Sequence, residues 1–114
     1  MASQGFYEVV ITKPARDRFQ FEILDYIQKN FSLARTFEIE KEIMSLVLSL
    51  QTNPQRGSME RWLKGKNQTF RFLLLKKTKY LEIKVIYYID ELEKKVLVTD
   101  FFLTKMNPSK MRFS

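Results

Sequence analysis

The chain has 114 residues, of which 45% are hydrophobic and sixteen are aromatic, so it is no disordered polymer and holds enough apolar mass for one core, not two. Lys and Arg number 20 against 13 Asp and Glu, a net charge of +7 with pI near 9.7, which favours an acidic or polyanionic partner. Cysteine and histidine are both absent, excluding disulfides and thiolate chemistry. No apolar run approaches the roughly 20 residues of a membrane span, and Met1 to Tyr7 carries no signal-peptide core, so the expectation is a single soluble, cytoplasmic domain over residues 1–114 with no membrane contact.

Phe6 to Ile11 reads as a short first strand, stopped by Thr12-Lys13-Pro14. Thr12 suits a helix N-cap and Pro14 its first turn, where a missing N–H costs little. From Ala15 to Asn30, Phe19, Ile23, Ile27 and Phe31 recur every four residues, joined by Leu24 and Tyr26, with Arg16, Asp17, Arg18, Glu22 and Asp25 left for water. Ser32 caps a second amphipathic helix, Leu33 to Gln51, whose apolar stripe runs through Phe37, Ile43, Met44, Val47 and Leu50. Thr52 to Gly57, with Pro54 inside it, ends that helix. So short a loop between the helices predicts an antiparallel αα-hairpin with both apolar stripes in the core.

Ser58 to Thr69 reads as an irregular loop pinned by Trp62 against the sheet or the helix ends. Most of the β signal follows, in Phe70 to Leu75, Tyr80 to Ile89 and Val96 to Leu103. Leu81, Ile83, Val85, Tyr87 and Ile89 alternate with Glu82, Lys84, Ile86 and Tyr88, and the connections are too short for a crossover, so the three strands form an antiparallel meander. One face packs on the helices and the other keeps polar residues, notably Arg71 and Lys84. Met106 to Ser114 is a short tail, a last helical turn or a frayed end. The fold class is therefore α+β: strand, helical hairpin, three strands. There is no internal repeat or linker.

Several groups qualify for contact with a partner. Lys76, Lys77 and Lys79 mark a charged hairpin turn, and Arg61, Lys64 and Lys66 a basic loop, either of which can touch nucleic acid or another target. The ordinary readings are edge-strand gatekeeping for the first group and a surface connection for the second. Glu38 and Glu42 share a helix face, but without a histidine or third carboxylate in register they read as a solvated stripe and not a metal site.

In its ordered set of segments the chain resembles the RelE/ParE superfamily of toxins from bacterial type II toxin–antitoxin modules, plasmid stabilisation proteins among them. The resemblance runs from Tyr7 to Met111. It is carried by Ile11 to Asp17, Asp25-Tyr26-Ile27, Leu50 to Gly57, Phe70-Arg71, Lys84 to Asp90, Asp100-Phe101-Phe102 and Lys105-Met106-Asn107-Pro108. It implies a growth-inhibiting toxin neutralised by a cognate antitoxin, with no cofactor or metal.

Two mechanisms follow from that likeness. RelE-like members are ribosome-dependent mRNA endonucleases; ParE-like members poison DNA gyrase without cutting RNA. The nuclease pattern places Arg71, Lys84 and Lys105 as candidate catalytic residues, since a metal-free cleavage needs converging bases, acids and cations. Leu73 stands where that pattern has a lysine, Met111 where it has a terminal aromatic, and Lys84 lacks the planar fork of arginine. The depleted set favours the gyrase-directed action over the mRNA interferase, and leaves open a degenerate toxin or a non-catalytic nucleic-acid-binding module. Tyr87, Tyr88, Phe101 and Phe102 are the aromatic candidates for antitoxin binding, provided they face outward.

Overall fold

The computed structural model describes residues 6–114; Met1 to Gly5, most of the stretch judged to lack a signal peptide, lie outside the described residues. The chain forms β1 (Glu8–Ile11), a helix α1 over 13–30, α2 (Leu33–Ser49), β2 (Ser58–Met59), β3 (Arg71–Thr78), β4 (Leu81–Asp90) and β5 (Lys95–Leu103). The sheet has five strands in the order β1-β5-β4-β3-β2. It is mixed, a correction to the three-stranded antiparallel expectation: β1 lies parallel to β5, with Glu8 beside Lys95 and Ile11 beside Val98, and β2 adds a short antiparallel edge to β3.

Both caps read from the sequence are made. Thr12 Oγ1 accepts the Ala15 amide at 3.4 Å and Ser32 Oγ that of Arg35 at 3.1 Å. Inside α1 the segment Phe19–Ile23 widens into a π turn, which keeps Phe19 and Ile23, four residues apart, in line on the core face. Ile23, Ile27, Ile39, Ile43 and Leu50 meet Leu81, Ile83, Val85, Val98 and Phe101 in the main core, all fully buried, with the Phe19 and Phe101 rings 5.0 Å apart. Not every helical aromatic joins them. Phe37 is 63% exposed and Phe21 72%, so the core stripe expected through Phe37 passes instead through Thr36, Ile39 and Ile43.

A second, smaller core lies on the sheet face away from the helices, where Leu63, Phe70, Ile86, Phe102 and Met111 pack together. Leu63, and not its neighbour Trp62, pins the 58–69 loop; Trp62 is 66% exposed. The C-terminal tail is held, not frayed. Met111 is buried in this core, Arg18 Nη2 donates to the Lys110 carbonyl at 2.7 Å, and the Arg112 amide donates to Asp100 Oδ2 at 2.9 Å. Because β1 covers β5 only as far as Val98, α1 passes alongside the uncovered part of β5, and Arg18 reaches Asp100 there, Nε to Oδ1 at 3.0 Å, with both side chains buried. Burial by itself would lower the Arg18 guanidinium, but Asp100 and Glu22 more than reverse this and hold it above its ordinary value.

Candidate functional site

Strand register decides which of the candidate residues can meet. Arg71 lies opposite Tyr87 and Lys84 opposite Leu74. Tyr87 belongs to the helix-side core, so Arg71 is on the helix face; Lys84 is out of phase with Tyr87 along β4 and is on the other. The two cations expected together on one polar face are therefore on opposite faces.

Each is also occupied. Arg71 Nη1 donates to the carbonyls of Gly57 at 2.9 Å and Gln55 at 3.3 Å. Beside it the Tyr87 hydroxyl donates to the Pro54 carbonyl and accepts the Gly57 amide at 3.1 Å. This contact requires glycine, since a Cβ at position 57 would strike the Tyr87 hydroxyl and come within 2.9 Å of the Phe72 carbonyl. Burial raises the Tyr87 phenol above its ordinary value, against the opposing pull of the Gly57 amide, Arg71 and Arg56.

Lys84 is paired with a residue that sequence reasoning passed over. Glu60, its side chain 1% exposed, receives Lys84 Nζ at 2.7 Å and 3.2 Å, and the ammonium lies 4.3 Å from the Phe72 ring centroid. Ser58, Met59, Arg61 and Trp62 complete the rim of a groove of about 300 Å³ around the pair. The one sequence signal for Glu60 was its being the single carboxylate of the otherwise basic loop 58–69, between Met59 and Arg61.

Lys105 belongs to a different place, the end of the sheet at the β3–β4 hairpin. Its Nζ lies 3.7 Å from the Tyr26 ring centroid, and Tyr26 donates its hydroxyl to the Tyr80 carbonyl at 2.9 Å. Lys76, Lys79, Tyr80, Glu82 and Thr104 line the same cleft of about 280 Å³, where Lys79 Nζ sits 5.1 Å from the ring of the largely exposed Tyr80. From Leu81, beside this cleft, to Tyr87, opposite Arg71, is six residues of β4, roughly 20 Å of strand, so Arg71 and Lys105 do not converge. The cleft itself unites Lys76, Lys79 and Lys105 with two tyrosines, a set suited to holding a phosphate between ammonium groups with a base stacked on Tyr80. Glu82, which accepts the Thr104 hydroxyl at 3.0 Å, is its lining carboxylate. Tyr26, read in the sequence as part of the helical apolar set and of the family likeness, and Tyr80 were not among the candidate site residues, because only the hairpin brings them beside Lys105.

The other basic candidates are scattered. Lys77 is withdrawn into an ion pair with Glu42 of α2 at 2.8 Å, Lys66 lies 4.2 Å over the Phe113 ring, Lys64 is exposed, and Arg61 rims the Glu60 groove. Of the aromatic candidates for partner binding, Tyr87, Phe101 and Phe102 are core residues with at most 1% exposure and present no surface, because strand alternation turns Tyr87 and Phe101 to the helices and Phe102 to the second core. Tyr88 is half-buried and packs edge-on against Phe70 at 5.5 Å.

Among the described residues no group of three or more His, Cys, Asp or Glu side chains is placed to hold a metal ion, and no helix is long and apolar enough to cross a membrane. Fold and site together define an α+β domain with a basic, tyrosine-lined cleft at one end of a mixed sheet. No protein-family model, curated protein or solved structure matches the chain.

Proposed function

We propose that the chain is the toxin of a type II toxin–antitoxin module, restrained by a cognate antitoxin, and that it inhibits growth by engaging a target such as DNA gyrase, not by cutting RNA. The reading begins from the RelE/ParE resemblance of its ordered segments, with α1 and α2 taken as the family's helical hairpin and β3 to β5 as its meander. The observation that carries the non-nuclease choice is the separation of Arg71 from Lys84 on opposite sheet faces, each already engaged, Arg71 by backbone carbonyls and Lys84 by Glu60. Metal-free RNA cleavage needs its cations and proton carriers around one phosphate.

The cleft of Lys76, Lys79, Lys105 and Tyr80 favours a second reading, in which RNA is the target and the chemistry lies at the hairpin end. A non-catalytic nucleic-acid-binding module would use the same cleft, with affinity for free RNA or DNA falling steeply with salt.

Induced expression in a bacterium, with plasmid supercoiling, DNA breaks and ribosome-bound mRNA 5′ ends followed in parallel, separates these readings. Lost supercoiling or DNA breaks with intact mRNA is the expected result. New codon-phased mRNA ends would replace it with the nuclease reading, and normal growth would remove the toxin assignment.

A further inference from the structure

β3 is paired on one side along its whole length and on the other at one end only. Its partner β2 matches just Ser58 to Phe72 and Met59 to Arg71, followed by the Glu60 amide donating to the Phe70 carbonyl at 2.8 Å. In an antiparallel ladder the N–H and C=O of alternate residues point to the same side. Phe70 and Phe72 therefore face β2, and so do Leu74 and Lys76, where β2 is no longer present. Among the described residues the backbone from Leu73 to Thr78 makes no hydrogen bond beyond the β4 ladder. β2 leaves the edge at Gly57, which Arg71 and Tyr87 pull toward the helix side. The vacancy is a consequence of that contact.

The side chains around the open edge give it a chemical preference. Leu74 is 47% exposed, and Lys76 and Lys79 are exposed and form no ion pair among the described residues. Lys77 at the bulge turns to Glu42 on the opposite face. Lysines along an edge repel a second copy of so basic a chain, the usual protection of a bare strand. The same charges attract an acidic one.

We propose that the β3 edge from Leu73 to Thr78 is a strand-addition site for an extended acidic peptide of a partner protein. The guest continues the line of β2, takes the free amides and carbonyls of Leu74 and Lys76, sets an apolar side chain beside Leu74 and places carboxylates beside Lys76 and Lys79. The inference stands on the edge geometry and is independent of the toxin reading.

The test uses the full chain and a capped nine-residue peptide with glutamates in its N-terminal half and valines in its C-terminal half, the order by which an antiparallel guest lays glutamate beside Lys76 and valine beside Leu74 on one face, with the same peptide carrying lysine in place of glutamate as control. Binding is read by fluorescence anisotropy and by hydrogen exchange of individual amides. The acidic peptide is expected to bind and to slow exchange at Leu74 and Lys76, while the lysine peptide does neither. Leu74→Pro removes an outward N–H without touching the β4 ladder and is expected to weaken binding at least tenfold; Lys76→Glu is expected to weaken it severalfold and serves if the proline variant does not fold. Three results would overturn the proposal: no protection at Leu74 and Lys76, acidic-peptide binding unchanged by the substitutions, or protection that appears with protein concentration alone, which would make the occupant a second copy.

Discussion

The Glu60 carboxylate and the Lys84 ammonium meet at 2.7 Å on the sheet face away from the helices, and Glu60 is almost wholly removed from water. Removing one member of such a pair strands the other, at a cost of about 3 kcal/mol or more, while replacing both by apolar groups of similar size is far less damaging. Glu60→Gln is therefore expected to lower the denaturant midpoint strongly, and Glu60→Leu combined with Lys84→Met to recover much of the loss. If Lys84 is structural, the double variant keeps growth inhibition; a stable double variant without activity would return Lys84 to the functional site.

The buried Tyr87 gives a pH dependence with a definite sign. Its phenol is held above the ordinary value by burial, so the folded state retains the proton more tightly than the unfolded chain. The contribution is fully present below the unfolded tyrosine pKa, about 10, and is lost as pH rises through the folded value. Stability should decline in that alkaline window, and Tyr87→Phe should flatten this part of the profile while costing about 1–3 kcal/mol at neutral pH, because the Gly57 amide and Pro54 carbonyl lose their partner. Denaturant unfolding across the alkaline range measures both; an unchanged slope would mean another group titrates there.

Asp100 ties helix, sheet and tail through Arg18 and the Arg112 amide. Asp100→Asn leaves the buried guanidinium with only the half-exposed Glu22 as counter-charge and is expected to cost about 3 kcal/mol. The diagnostic readout is local: the Arg112 amide should exchange faster by a larger factor than the amides of β3. Uniform acceleration would show that the tail is not a separate dependant of this carboxylate.

Thr99 sits at the β5 bulge, where Ile86 pairs with Asp100 and Tyr87 with Val98, and its buried hydroxyl has no partner among the described residues. Thr99→Val removes that unsatisfied group at nearly constant shape and should raise stability by about 1 kcal/mol. A fall in thermal midpoint would mean that the hydroxyl is satisfied by a bound water.

At the hairpin end, Lys105→Ala and Tyr80→Ala should each reduce target engagement while shifting stability by less than about 1 kcal/mol, since Tyr80 is exposed and Lys105 forms no ion pair among the described residues. Growth inhibition and thermal midpoint measured together decide it. Full activity in both variants would remove the cleft from the site.

Much of the architecture was legible because it is local. Four-residue spacing marked α1, Thr12 and Ser32 announced its start and that of α2, and alternation along β4 already assigned Tyr87 to the face of Leu81, Ile83 and Val85. What escaped was relational. Nothing in Glu8-Val-Val-Ile names β5 as its parallel neighbour. Trp62 outweighs Leu63 in any propensity reading, yet Leu63 is the one the chain buries. Arg71 and Lys84 look alike as basic strand residues until the pairing register sends them to opposite faces. The basic cleft needed the hairpin, the end of α1 and the residues after β5 at once, three places far apart in the chain.

The pairing of β1 with β5 joins residues as far apart as Glu8 and Lys95. During synthesis the first strand therefore waits, without its sheet partner, until Lys95 to Val98 have left the ribosome, and contacts of such long range close late in folding. The complete sheet, and every site that depends on it, can form only after β5 has been made. A partner that recognises the finished surface finds nothing to hold until that last strand is in place.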